Sequence, residues 1–338
     1  METFAVHGGR LGQARRRFPG AAEPWIDLST GINPVPYPAR PATSAARGRL
    51  PDPEETGAVE TAAARAFGVG ADAVLATAGA EAAIRLLASC LGARHVGILE
   101  PAYGGHGEAW RAVGATVTGF ALGDLREAAE RFDAVVVVNP NNPDGAILPG
   151  DALVDLAGRL GARDGWLIVD EAFVEASSAP GVAASVGSHW AAERLIALRS
   201  FGKFYGLPGL RLGFVTAHSD LIARLRLRLG EWPVGADAIA AGLQAYADEV
   251  WATKTRRRLA EEAARLDALL VRSGMEVVGG TSLFRLAAAD NAQNRFMRLA
   301  EAGILTRPFD YAPHWLRFGL PHPDHWPRLE ATLQESAS

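Results

Sequence analysis

The sequence has almost no lysine. Lys203 and Lys254 are the only two among 34 basic residues, and the other 32 are arginines. A codon bias toward arginine and alanine accounts for the general trend. Arginine replaces lysine as a surface charge but not as a nucleophilic amine, because a guanidinium does not deprotonate in a protein. Each remaining lysine therefore needs a reason. Cysteine is scarcer still, and a lone Cys90 excludes an internal disulfide and a cysteine-built metal cage. The eight histidines form no HExxH or other close ligand pairing, so no metal is expected. The longest apolar runs, such as Ala134 to Val138, fall far short of the ~20 residues that span a bilayer, so no membrane partner is expected. The net charge is −4 with no basic excess, which argues against a nucleic-acid partner. No charged-then-apolar leader pattern opens the chain, and a cytoplasmic location is expected.

What is present is an ordinary globular balance: 338 residues, 49% hydrophobic and 21% charged, enough for one or two joined domains. Residues 1–50, rich in Gly, Pro and Arg, read as an extended arm and turns. From about Glu55, short apolar strands alternate with helices. Strands are expected at Val74–Thr77, Val96–Leu99, Thr116–Phe120, Ala134–Val138, Leu167–Val169 and Leu195–Arg199. Helices are expected at Thr56–Phe67, Glu81–Cys90, Ala109–Val113, Leu125–Arg131 and Asp151–Leu160. Continuous apolar strands separated by helices imply an α/β fold whose mainly parallel sheet is covered by helices on both faces. After Val215 the texture changes to longer helices, Lys254–Arg272 among them, and short strands, which reads as a smaller α+β C-terminal domain. The expected organisation is an arm over 1–33 that contributes to the substrate site, a large cofactor-binding domain over 34–225, and a small domain over 226–338.

Five segments carry candidate chemistry. In Ser200-Phe201-Gly202-Lys203, followed by Gly209-Leu210-Arg211-Leu212-Gly213, a lysine sits among glycines and aromatics just after a strand. Desolvation there would lower its pKa and make it available for Schiff-base chemistry, although a lone lysine more often just snorkels to solvent. Lys254, in Thr253-Lys254-Thr255-Arg256, fits that plainer reading. In Leu167-Ile168-Val169-Asp170-Glu171-Ala172-Phe173 a buried strand ends in a carboxylate, at the end where open α/β sheets bind ligands. Asp170 there is suited to pair with a protonated pyridine nitrogen, and equally to cap a helix or bind a metal. Asn139-Pro140-Asn141-Asn142-Pro143-Asp144-Gly145 follows another strand and is explained by turn chemistry alone. Gly79-Ala80-Glu81 opens a helix whose backbone N–H groups suit a phosphate. Tyr103 lies just beyond a strand and can stack on a flat ring.

Together, in this order and spacing, these segments resemble the fold-type I pyridoxal-phosphate enzymes of the aminotransferase class I/II superfamily, over Ile26 to Gly319. The resemblance implies pyridoxal 5′-phosphate as cofactor. It makes Lys203 the Schiff-base lysine, Asp170 the partner of the ring nitrogen and Asn142 the donor to the ring oxygen. Ser200, Arg211 and the backbone of Gly79, Ala80 and Glu81 become phosphate ligands, Tyr103 the stacking aromatic and Arg317 the carboxylate grip. It also implies a homodimer.

Within the superfamily the sequence is most similar to threonine-phosphate decarboxylases of cobalamin biosynthesis, then to histidinol-phosphate aminotransferases. Val6-His7-Gly8-Gly9-Arg10 and Asp27-Leu28-Ser29-Thr30-Gly31-Ile32-Asn33-Pro34 match the decarboxylase arm, with Arg10 where asparagine is common. His7, Gly8, Gly31, Asn33, Asn142, Arg307 and Arg317 are the substrate-binding candidates, for a small phosphorylated amino acid. Phe173 replaces the tyrosine usual in aminotransferases, which favours the decarboxylases, and Leu50 replaces a tyrosine common to both groups. The shared residues serve decarboxylation and transamination alike, so both remain open. A regulatory, non-enzymatic domain is the remaining alternative, and the intact Lys203 and Asp170 speak against it.

Overall fold

A computed structural model of the chain describes residue 4, residues 8–177 and residues 194–335. Among these the strands, in chain order, are β1 (Ile26–Asp27), β2 (Val74–Thr77), β3 (His95–Leu99), β4 (Thr116–Phe120), β5 (Ala134–Val138), β6 (Trp166–Asp170), β7 (Leu195–Ser200), β8 (Gly213–Thr216), β9 (Glu276–Thr281), β10 (Phe284–Ala288), β11 (Ile304–Leu305), β12 (Arg307–Pro308) and β13 (Trp315–Gly319). The chain divides into two compact units. The larger comprises Tyr37–Asn142 and Ala146–Lys254, the smaller Met1–Pro36, Pro143–Gly145 and Thr255–Ser338.

The larger unit is built on a seven-stranded sheet of order β2-β8-β7-β6-β5-β3-β4. β7, β6, β5, β3 and β4 run parallel, β8 is antiparallel to both its neighbours, and β2 therefore points with the majority. The strands are apolar throughout because the sheet is covered on both faces. Alternate residues divide cleanly. Val136, Ile168, Ile196 and Leu198 pack with Ile84, Leu87 and Trp110. Val135, Val137, Leu167, Val169 and Ala197 pack with Leu153, Leu156 and Leu160. β4 departs from the apolar expectation. It lies at the sheet edge, and only its last residue, Phe120, is buried. The α/β reading of a mainly parallel, doubly covered sheet is borne out.

β8 has no counterpart among the expected strands. Its four residues follow a glycine-rich turn, and it is held between β7, just before it in sequence, and the distant β2. The larger unit also runs past residue 225, the expected boundary, as far as Lys254. The reason is the helix Ala236–Tyr246, whose buried Tyr246 meets the edges of Phe67 and Phe214 with ring centroids 5.5 and 5.7 Å apart.

The smaller unit carries a four-stranded antiparallel sheet of order β12-β13-β10-β9 and the parallel pair β1–β11. Residues 1–36 belong to it. They are not wholly extended, for Leu11–Arg17 is a helix. That helix has no side-chain N-cap and buries only Ala14, so its local signal is weak. Ile26 N–H donates to Gly303 O and Leu28 N–H to Leu305 O, at 2.9 and 2.7 Å, which fixes β1 beside β11.

Candidate active site

Six of the seven strands in the large sheet end at one edge, and the one reversed strand, β8, begins there. The segments singled out in the sequence therefore emerge together. Strand register makes this concrete. Thr77 pairs with Gly213, and Gly213 with Ser200, so the exits of β2 and β7 flank the entry to β8. Val138 pairs with Asp170, and Asn139 N–H donates to Asp170 O at 2.8 Å.

Asp170 is buried, and its two oxygens have separate partners. Oδ1 accepts from Ala172 N–H at 3.0 Å. Oδ2 lies 2.8 Å from His106 Nε2, and His106 is itself 1% exposed. An ionised Asp170 makes that nitrogen the donor, and a hydrogen bond to a charged group stabilises by ~1.5–3 kcal/mol. Sequence reasoning missed His106. It sits in Gly104-Gly105-His106-Gly107 with no ligand pattern around it, and only the adjacency of distant segments reveals its partner.

The neighbouring turn forms an anion cradle. Gly79 has φ +89°, open to glycine but strained for other residues, and precedes the helix Ala80–Cys90. A Cβ on Gly79 would lie 2.8 Å from Arg211 Nη2, so the guanidinium rests directly on this turn. A Cβ on Gly213 would collide with the Ala80 nitrogen. Arg211 itself adopts φ +54°, and its Nη1 donates to Pro208 O at 3.1 Å. The N–H groups of Ala80 and Glu81 at the helix start, a guanidinium and the half-buried Ser200 at the end of β7 suit a phosphate, whereas Gly79 N–H donates to Thr77 O at 2.7 Å.

Lys203 is half-buried on the short helix Phe201–Phe204, which follows β7 directly. Its Nζ stands 5.5 Å from the ring centroid of the buried Phe173. Tyr103 Oη donates to Glu81 Oε2 at 3.3 Å, and burial together with that carboxylate pushes the phenol up to about 12. Asn142 is buried in the turn after β5, where Asn141 N–H donates to Ala146 O at 2.8 Å. A flat ring bearing an aldehyde, a basic nitrogen and a phosphate fits these residues. The close approaches at Gly79 and Gly213 are what a backbone phosphate cradle requires.

A second carboxylate, Glu171, points into a fully buried cluster. Arg199 Nη2 is 2.8 Å from Glu171 Oε2, and Arg199 Nη1 is 3.6 Å from Glu175 Oε1. The guanidinium also lies over the Phe67 ring at 4.7 Å. Burial pushes Glu171 up to about 8, against the pull of Arg199.

The remaining candidates belong to the smaller unit, except His7, which lies outside the described residues. Arg307 and Arg317 are directly opposed across β12 and β13. Arg317 is buried, and burial with the nearby Arg307 holds its guanidinium well below the usual range. Gly31 is buried. Asn33 is buried too, its Oδ1 accepting from Val35 N–H at 3.0 Å and from Arg258 Nη2 at 2.7 Å. Gly8 lies so close to Ser29 O that any side chain there would clash.

Among known proteins, the model of the family "Aminotransferase class I and II" matches residues 23–325. A threonine-phosphate decarboxylase of Pseudomonas aeruginosa is 38% identical over 97% of this chain and 96% of its own length. A second, from a Sinorhizobium species, is 40% identical over 95% and 94%. The crystal structure of histidinol-phosphate aminotransferase from Sinorhizobium meliloti, in complex with pyridoxal-5′-phosphate, superposes with a TM-score of 0.84. It is 18% identical and covers 96% of this chain and 94% of that one.

The Glu171 cluster makes a pH-dependent prediction. The folded protein holds the Glu171 proton more tightly than the unfolded chain, whose value is near 4.5. Its contribution to stability is complete below about 4.5 and is lost as pH rises through about 8. Glu171→Gln mimics the protonated acid and does not titrate. Urea unfolding at pH 5, 7 and 9 should show the variant gaining on wild type across that window. A constant difference would mean that Glu171 is ionised throughout.

Proposed function

The chain belongs to the aminotransferase class I and II family, and on that premise we propose that it decarboxylates L-threonine O-3-phosphate to (R)-1-amino-2-propanol O-2-phosphate in cobalamin biosynthesis. The observation that carries this reading is the near-full-length identity of about 40% to two threonine-phosphate decarboxylases. The cofactor is pyridoxal 5′-phosphate, which supplies an aldehyde for the substrate amine and a ring that accepts the electrons left at Cα.

The chain's own residues do the rest. Lys203 would hold the aldehyde through its amine, and its Nζ would return a proton to Cα. Asp170, oriented by His106 Nε2 and Ala172 N–H, keeps the ring nitrogen protonated. The 79–81 turn, Ser200 and Arg211 bind the cofactor phosphate. Asn142 donates to the ring oxygen without help from position 173, where phenylalanine has no hydroxyl. Tyr103 stacks on the ring.

The substrate carries two anionic groups, and Arg307 and Arg317 match them in charge. Two opposed guanidiniums, of which Arg317 is buried, repel one another, and a phosphate and a carboxylate relieve that repulsion when they bind. His7, Gly8, Gly31 and Asn33 complete the substrate-binding set of this proposal. The proposed assembly is a cytoplasmic homodimer, and sedimentation at assay concentration should give twice the chain mass of 35.7 kDa.

Two further measurements test the reading. Borohydride reduction of the holoenzyme and peptide mapping should label Lys203, and a label on Lys254 would refute the assignment. The purified protein should release carbon dioxide from phosphothreonine and form no glutamate from histidinol phosphate with 2-oxoglutarate. The reverse pattern would make it an aminotransferase.

A further inference from the structure

Ser29 uses every one of its polar atoms. Its N–H donates to Asp27 Oδ1 at 2.9 Å, and its hydroxyl contacts the same oxygen at 2.5 Å. Its Oγ accepts from Gly9 N–H at 2.7 Å. Its carbonyl accepts from Arg317 Nη2 at 2.8 Å. Ser29 is 2% exposed, so these bonds form without competition from water. Gly9 has φ +78°, and the close approach of Gly8 to Ser29 O leaves no room for a side chain. The glycine turn is thus fitted to Ser29 in shape as well as in hydrogen bonding.

The polarity of this chain of bonds is fixed by chemistry. A carboxylate only accepts, so Asp27 takes the single hydroxyl proton of Ser29. That leaves an Oγ lone pair facing Gly9 N–H. Asp27 is also among the charges that act on Arg317. The segment Asp27–Ser29 therefore holds the Gly8–Gly9 turn through a side chain and Arg317 through a carbonyl. The two attachments are chemically separable.

We propose that Asp27 and Ser29 are positioning residues for substrate binding, which pin the Gly8–Gly9 turn to the backbone segment that holds Arg317. This rests on the decarboxylase reading above for the identity of the substrate. Alanine at position 29 keeps the carbonyl that holds Arg317 and loses only the hydroxyl that holds the turn. Substrate affinity should then fall while turnover of bound substrate does not.

The test uses the full-length holoenzyme with Ser29→Ala, Asp27→Ala and Asp27→Asn, and two readouts. Hydrogen exchange followed by mass spectrometry should show faster exchange of the peptide containing Gly9 in Ser29→Ala and Asp27→Ala. Asp27→Asn keeps an acceptor oxygen and should stay near wild type. Loss of one hydrogen bond of ~0.5–1.5 kcal/mol corresponds to a rise of about two- to tenfold in KM for phosphothreonine. The kcat on phosphothreonine should stay within about threefold. Unchanged exchange in Ser29→Ala, or a fall in kcat with KM unchanged, overturns the proposal. If wild type instead transaminates histidinol phosphate, the decarboxylase reading fails by itself. The KM and kcat measurements then pass to histidinol phosphate, and the same outcomes decide the role of the Asp27–Ser29 pair.

Discussion

The buried contact between His106 Nε2 and Asp170 Oδ2, 2.8 Å long, is the constraint on which the arrangement at the larger sheet's edge depends. A carboxylate buried at a strand end is costly unless hydrogen-bonded, and here both oxygens have donors. The imidazole comes from the segment after β3 and the carboxylate from β6, with β5 lying between those strands. The contact thus ties one edge of the sheet together and aims Asp170 at one place. A carboxylate free to rotate would spend its charge on water.

That edge exists because six strands point one way. Parallel strands deliver their exits to one side of a sheet, and loops placed there share a ligand although they are distant in sequence. The seventh strand, β8, runs the other way, and this reversal brings Arg211 to the same edge from the start of a strand. Gly79 and Gly213 follow from the same crowding. Backbone leaves no room for a Cβ at Gly213, and the positive φ disfavours one at Gly79. The Glu171–Arg199–Glu175 cluster fastens the residues after β6 to β7, so the segment carrying Phe173 is anchored to the strand that leads to Lys203.

The smaller unit solves a different problem. Two arginines opposed across β12 and β13 are unfavourable on their own, since like charges directly opposite destabilise a sheet. Ser29 O accepts from Arg317, and Asp27 supplies a nearby negative charge. The arm and the antiparallel sheet form one unit because β1 pairs with β11 and Gly319 N–H donates to Leu28 O at 2.6 Å.

The sequence by itself determined the parallel sheet, because continuous apolar strands survive only when both faces are covered, and that pattern is local. It also singled out the site candidates in the larger unit, because Lys203, Asp170, Asn142 and Arg211 sit in short segments whose order and spacing are distinctive. Tertiary structure alone decided the partner of Asp170, the reversal of β8, the crossed arginines and the Asp27–Ser29–Gly9 chain. Each of these joins residues through a strand register or a turn-to-segment contact, and neither leaves a periodicity in the residues involved. The reach of the larger unit to Lys254 was hidden for the same reason. Tyr246 reads as one more helical aromatic until Phe67 and Phe214 are brought against it.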